Sequence, residues 1–187
     1  MKKNAGRIYP TRWFWIALLV PVGILLSMTV RPLLALYAGE RITLQTVPVD
    51  PRDLFYGDYV QLRFAIEEVD GSVVDKALVQ KMVKNPEADR YSVYVSLRKN
   101  GQTAVVAHVS EKPPRTSLYL KGELMPIWQW ENGQRRAKYA IDYQLDRYYV
   151  EEDSGLEWEK LARQGKVWAD VKVKGGYGVM LELKPAQ

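Results

Sequence analysis

Hydrophobic positions along the chain follow two regimes. From Trp13 to Val30, WFWIALLVPVGILLSMTV, eighteen consecutive residues carry no charge. At a helical rise of about 1.5 Å per residue the run covers roughly 27 Å, nearly the hydrocarbon thickness of a bilayer. Past Arg31 and Pro32 the apolar character continues to Tyr37, so the pattern predicts a transmembrane helix over 13–37. From Arg41 onward the period changes to two. RITLQTVPV alternates Ile42, Leu44 and Thr46 with polar neighbours, and DYVQLRFAIEEV puts Val60, Leu62, Phe64 and Ile66 on one face of a strand.

Later segments continue the β pattern and interrupt it twice. SVVDKALVQKMVKN places Val74, Leu78 and Met82 at helical spacing, with Ser72 as cap and Pro86 beyond the end. RYSVYVSLRKNGQTAVVAHVS predicts a hairpin: Tyr91, Val93, Val95 and Leu97 alternate, Asn100-Gly101 turns the chain, and it returns through Val105, Ala107 and Val109. TSLYLKGELMPIW and RRAKYAIDYQLDRYYV predict two strands around Glu131-Asn132-Gly133. SGLEWEKLARQG predicts a helix, with capping-box spacing at Ser154 and Glu157 and Gly165 at the left-handed C-terminal position. KVWADVKV and GVMLELK flank Gly175-Gly176-Tyr177-Gly178 as a terminal hairpin.

The expected fold is therefore mainly β (α+β): a single N-terminal transmembrane helix followed by an antiparallel β-rich domain with two short helices, barrel and sandwich both being open. The chain divides into a basic N-terminus (1–12), the anchor (13–37) and an extracytoplasmic β-rich domain (38–187).

Charge orients this layout. Twenty-seven basic residues against twenty-two acidic ones leave a net +5. Lys2, Lys3, Arg7 and Arg12 precede the apolar run and Arg31 follows it, so the positive-inside bias predicts a single-pass inner-membrane protein with a cytoplasmic N-terminus. The helix is its contact with the lipid bilayer. A cleaved signal peptide fits less well, because apolar regions of such peptides run about 7 to 15 residues and Ala35 and Ala38 are spaced by three instead of two. Pro21 and Gly23 predict a mild kink, with Ser27 satisfying a freed carbonyl. No basic tract with interleaved aromatics points to nucleic acid. The absence of cysteine excludes disulfides, zinc ribbons and thiol catalysis.

Candidate chemistry is sparse. His108, the only histidine, falls on the return strand opposite Val105, Ala107 and Val109 and suits a surface position better than a ligand or base. Asp50, Asp53 and Asp58 lie close together, but they lack the spacing of a calcium loop and have Arg52 and Arg63 beside them. Turns use the same residues. No catalytic residue, metal site or cofactor is expected. One alternative is a membrane-tethered serine hydrolase, since Ser27-Met28 and Gly57-Asp58 resemble two pieces of type I signal peptidases. That serine falls inside the apolar span, and its lysine base could be Lys99, Lys121 or Lys138.

GDYVQLRF, Gly57 to Phe64, resembles the signature of the GDYXXLXY family of bacterial membrane-anchored proteins. Gly57, Asp58, Tyr59 and Leu62 fit, and Phe64 stands in place of the final Tyr. LDRYYVEEDSGLEWEKLARQGKVWADVKV is similar to that family's second recurrent region. The resemblance implies an association with multi-spanning membrane proteins and carries over no catalytic residue; the expected function is a non-enzymatic module that binds or helps assemble a membrane-protein partner. The residues themselves suggest a binding surface at Gly57, Asp58, Tyr59, Gln61 and Arg63, with Tyr148 and Tyr149 elsewhere, because Tyr and Arg are enriched at interface hot spots.

Overall fold

The computed structural model of the chain describes residues 11–48, 59–85, 87–131, 134–145, 147–149 and 155–186. Helix α1, Thr11–Ala38, is 28 residues long. An 18-residue window within its stretch Trp13–Ala38 has a mean hydropathy of 2.1, and its large apolar side chains are exposed all round. It is long and apolar enough to cross a membrane. Ser27 Oγ donates to the Ile24 carbonyl at 2.7 Å, whereas the carbonyl that Pro21 deprives of its donor is that of Ala17. The expected repair at Pro21 is therefore a back-bond within the next turn.

The helix runs into the β domain without a linker. Ala35 is fully buried, and Gly39 donates its N–H to the Ala35 carbonyl at 2.9 Å. A Cβ at Gly39 would stand 2.2 Å from that oxygen and 3.1 Å from Lys172 Cβ, so only glycine permits the approach. Strand β1, Glu40–Gln45, begins at the next residue.

Among the described residues ten strands follow, all paired antiparallel. β1, β9 (Val167–Lys174) and β10 (Tyr177–Pro185) form one sheet in the order β1-β9-β10. β3 (Glu68–Asp70), β4 (Tyr91–Asn100), β5 (Thr103–Ser110), β6 (Tyr119–Glu131) and β7 (Gln134–Asp142) form a second, ordered β3-β7-β6-β4-β5. β2 (Tyr59–Gln61) and β8 (Arg147–Tyr149) make a separate two-stranded ribbon. The two larger sheets enclose a single core: Ile42, Leu44, Ala169 and Val171 from the first meet Val93, Val95, Leu120 and Ile141 from the second. A bridge between Leu120 and Gly176, with Lys121 N–H donating to the Gly176 carbonyl at 2.8 Å, ties the β9–β10 turn to β6.

The mainly β class and antiparallel pairing match the sequence reading, and several local features depart from it. The strand expected from Tyr59 through Ile66 breaks after Gln61. Glu67 turns its carboxylate back to the Phe64 N–H at 3.0 Å, and its own N–H donates to the Phe64 carbonyl. That 3-10 turn, Ala65–Glu67, diverts the chain into β3, while Leu62, Phe64 and Ile66 remain buried as the pattern implied. Helix α2, Lys76–Lys84, is capped by Asp75, whose carboxylate accepts the Ala77 N–H, and not by Ser72, which lies in a preceding 3-10 turn. Leu78 and Met82 are buried as expected, but Val74 precedes the helix and bridges to Val109.

A register shift between β4 and β5 changes which residues face inward. Ser96 pairs with His108 and Leu97 with Val106, making Ala107 the extra residue. The alternation therefore changes phase, so Ala104 and Val109 are buried while Ala107 is exposed. The turn of this hairpin is Gly101-Gln102, one residue later than expected, since Asn100 pairs with Thr103. In the terminal hairpin Lys174 pairs with Tyr177, leaving a two-residue Gly175-Gly176 turn with φ of 58° and 82°, the sign pattern of a type I′ turn. The expected strand from Arg135 to Val150 divides into β7 and β8 at Gln144, whose φ is 57° and whose N–H donates to Asp142 Oδ1 at 2.8 Å. Helix α3, Gly155–Arg163, ends as expected: Gly165 donates to the Ala162 carbonyl and Lys166 to that of Leu161. Pro86, Asn132, Gly133 and Ser154 lie outside the described residues.

Replacing Gly39 by Val should destabilise the full chain in detergent by about 1–3 kcal/mol, the usual cost of overpacking. Gly23→Val, where an added Cβ meets nothing within 4 Å, serves as the control. Thermal unfolding of the two variants checks the assignment, and equal melting temperatures would contradict it.

Candidate functional site

The ribbon β2–β8 brings the two motif-bearing segments together. Tyr59 pairs with Tyr149, Val60 with Tyr148 and Gln61 with Arg147. A three-residue ribbon is too short to stand alone. Its anchor is the next few residues, because the chain passes from Gln61 into buried Leu62 and Phe64, with Phe64 bridged to Thr46 and the Arg63 carbonyl accepting the Val47 N–H at 2.8 Å. Helix α3 packs beside β2.

The structure regroups the candidate surface residues. Tyr59, Gln61 and Tyr149 occupy alternating positions of one ladder, and Arg147, which sequence reasoning passed over, completes it opposite Gln61. Tyr148 falls between them, opposite Val60. Arg63 has left the ribbon; it is half-exposed and sits 3.5 Å from Glu68. Gly57 and Asp58 lie outside the described residues, as do Asp50 and Asp53. His108 is exposed on β5. Among the described residues no group of three or more His, Asp or Glu side chains could hold a metal ion.

Sequence reasoning also passed over a charged cluster on the outer face of the β1-β9-β10 sheet. Asp170 is almost fully buried and accepts from Arg41 Nε at 2.8 Å, Thr43 Oγ1 at 2.7 Å and Lys184 Nζ at 2.7 Å. Arg41 reaches on to Glu182, so the cluster spans all three strands. Burial pushes the Asp170 carboxyl upward, but the donors Lys184, Thr43 and Arg41 outweigh it and hold the group below its ordinary value of 3.8. The one signal in the sequence is a lone acid inside VWADVKV. Its partners Arg41 and Thr43 lie more than a hundred residues away.

Ser27 is not placed for nucleophilic chemistry. It lies inside α1 with its hydroxyl bonded to a backbone carbonyl. Lys99 pairs with Glu40 at 3.0 Å and Lys138 with Glu68 at 2.7 Å, while Lys121 is exposed on β6. A nucleophilic serine requires an adjacent base, and none of these lysines is bonded to it.

Together these features define a β-rich domain carried directly on one apolar helix, with a motif ribbon set apart from its two main sheets. The match to the model described as GDYXXLXY protein extends over residues 21–183, so the chain belongs to the GDYXXLXY family. No curated protein and no solved structure matches it.

The Asp170 cluster has a pH signature. A carboxyl held low in the folded state contributes stability above its unfolded value, and that contribution is lost as pH falls through the folded value. Asp170→Asn should cost about 1–3 kcal/mol near neutral pH, discounted because Arg41 and Lys184 face solvent. The gap from wild type should narrow as pH falls below about 4. Urea unfolding of the full chain in detergent across pH 3–7 tests this, and a pH-independent gap would contradict it.

Proposed function

We propose that this chain is a single-pass inner-membrane protein, its N-terminus cytoplasmic, whose extracytoplasmic β-rich domain binds a membrane-protein partner through the β2–β8 ribbon. The observation that carries this reading is the residue-by-residue pairing of two motif segments far apart in sequence, in a ribbon outside both main sheets. Among the described residues neither ribbon strand has a second strand neighbour. Such edges accept an added strand from a partner, and Tyr and Arg at alternate positions supply side-chain anchors.

The ribbon's location fits a partner that rises above the lipid. β1 leads away from the helix, and the ribbon joins the body of the domain beyond the far end of β1, at Thr46 and Val47. Six strand residues separate that point from the helix junction, or roughly 20 Å at about 3.3 Å each. Among the described residues none of the candidate lysines is bonded to Ser27, so the binding module is a better reading than a serine hydrolase.

Two measurements test it. A photo-crosslinking residue at Tyr59 or Tyr149 should give a discrete protein adduct in native membranes, and one at exposed Val83 on α2 should not; intact chain with no ribbon adduct would contradict the proposal. The chain has no cysteine, so single cysteines report topology without background. One placed at Gln187 should react with an impermeant thiol reagent from outside and one at Lys3 should not, and the reverse pattern would overturn the orientation.

A further inference from the structure

A cavity of ≈ 370 Å³ opens where α1 passes the β9–β10 turn. Arg31 lines it from the helix, Lys121 and Asp142 from β6 and β7, and Tyr177 from β10. Arg31 and Lys121 are exposed, and neither side chain makes a hydrogen bond or ion pair among the described residues. Glu123, opposite Asp142 in the β6–β7 ladder, is paired with Arg90 at 3.0 Å. Asp142 accepts the Gln144 N–H at 2.8 Å, and Arg90 acts on it only at longer range. The cavity therefore offers two uncommitted cations and one carboxylate that is in no ion pair among the described residues.

Its wall is built with backbone that costs energy to hold. Gln144 lines it with φ 57°, the only non-glycine residue at positive φ among those described, and such conformations cluster at ligand sites. A Cβ at Gly122 would come 2.8 Å from the Asp142 carbonyl oxygen, so β6 and β7 approach closely at the cavity's edge. The Gly175-Gly176 turn that closes it is pinned to β6 through Lys121 N–H.

The cavity's height along the helix identifies the ligand class. Lys172 Nζ donates to the Leu36 carbonyl at 2.5 Å, while the turn beyond Lys172 reaches Arg31. The β9–β10 hairpin thus runs back down the helix toward its apolar part. The uncharged run ends at Val30, and its roughly 27 Å nearly fills a hydrocarbon layer. Given the membrane-spanning reading proposed above, on which this inference rests, Arg31 stands at the level of the lipid phosphates.

We propose that this cavity binds the zwitterionic phosphoethanolamine headgroup of a phospholipid. Arg31 and Lys121 hold the phosphodiester by charge-assisted hydrogen bonds, and Asp142 takes the ammonium. A headgroup with the phosphate but no ammonium leaves Asp142 facing a neutral or like-charged group, which sets the preference. Cavities of about 300–1,000 Å³ commonly accommodate groups of this kind.

Native mass spectrometry of the full chain in detergent, with added phosphatidylethanolamine or phosphatidylglycerol, tests the proposal. Phosphatidylethanolamine should be retained about tenfold more strongly, a ratio within reach of one charged hydrogen bond. Arg31→Gln combined with Lys121→Gln should reduce its retention by about the same factor, with an unchanged circular dichroism spectrum. Asp142→Asn should remove the preference between the two lipids. Equal retention of both lipids by the wild type, undiminished retention by the double variant, or displacement of the lipid by millimolar inorganic phosphate would each overturn it. Carbonate extraction separates this failure from failure of the spanning reading: a chain that stays with the membrane yet ignores the headgroup overturns the cavity assignment alone.

Discussion

Gly39 donates to the Ala35 carbonyl at a point where a side chain could not fit, and the layout of the domain depends on that contact. Because the helix ends within one residue of β1, no flexible segment separates the two. The direction in which α1 ends fixes the direction in which β1 starts. β9 and β10 are built on β1, so they inherit it, and the Lys172–Leu36 contact continues the weld one strand over. The β9–β10 turn then lies beside Arg31 at one end of the sheet, and the motif ribbon joins at the other. A linker of even a few residues would uncouple both from the helix, since loop closure constrains orientation weakly as length grows.

The β1-β9-β10 sheet also shows how charge is accommodated on its outer face, beside half-buried Trp168. Asp170 and Glu182 are directly opposite each other, an arrangement that destabilises a strand pair when left alone. Arg41 bonds to both, and Lys184 lies 2.7 Å from Asp170 and 3.2 Å from Glu182. Two cations on the outer strands thus neutralise two acids on the inner and outer strands. β10 changes register between Met180 and Glu182, and that irregularity places Glu182 beside Asp170. On the other face Ile42, Leu44, Ala169 and Val171 are buried, so one short sheet separates an apolar core from an ion network. The buried polar side chains of the described residues are likewise satisfied; Tyr143, whose hydroxyl burial pushes well above its ordinary value, donates to the Ile66 carbonyl at 3.0 Å.

Much of this architecture was legible because periodicity reports burial directly. Ile42, Leu44, Leu62, Phe64, Ile66, Val93 and Val95 are buried where alternation placed them. Alternation could not reveal where a strand stops. Between Gln61 and Glu68 the buried set continues in phase, yet the backbone leaves one ladder and joins another because Glu67 offers the Phe64 N–H a local acceptor. Side chains of this kind compete with a ladder at close range. The β5 bulge was illegible for a related reason: Val105, Val106 and Ala107 are all apolar, so the sequence does not show which one is the extra residue. The Asp170 cluster was beyond reach altogether, since a carboxylate's partners are decided by strand order, and β1 and β9 are neighbours in the sheet although more than a hundred residues apart in sequence.

The candidate surface shows the same distinction between composition and position. Tyr59, Gln61, Tyr148 and Tyr149 could be named from residue type, but only the register shows that Tyr59 meets Tyr149 and that Arg147 belongs opposite Gln61. Arg63 looked like the next member of that series by counting in twos. It falls out because the chain turns at Phe64, which commits the backbone of Arg63 to Val47 and leaves its side chain beside Glu68. The ribbon is therefore narrower than the motif suggests, and its position is set by core residues immediately after it. A motif that couples a short ribbon to two core anchors constrains the placement of the ribbon as strongly as its chemistry. That coupling is what a recognition surface needs: three residues per strand contribute little stability of their own, so their geometry has to be imposed by Leu62 and Phe64, both almost fully buried in the core they share with β1.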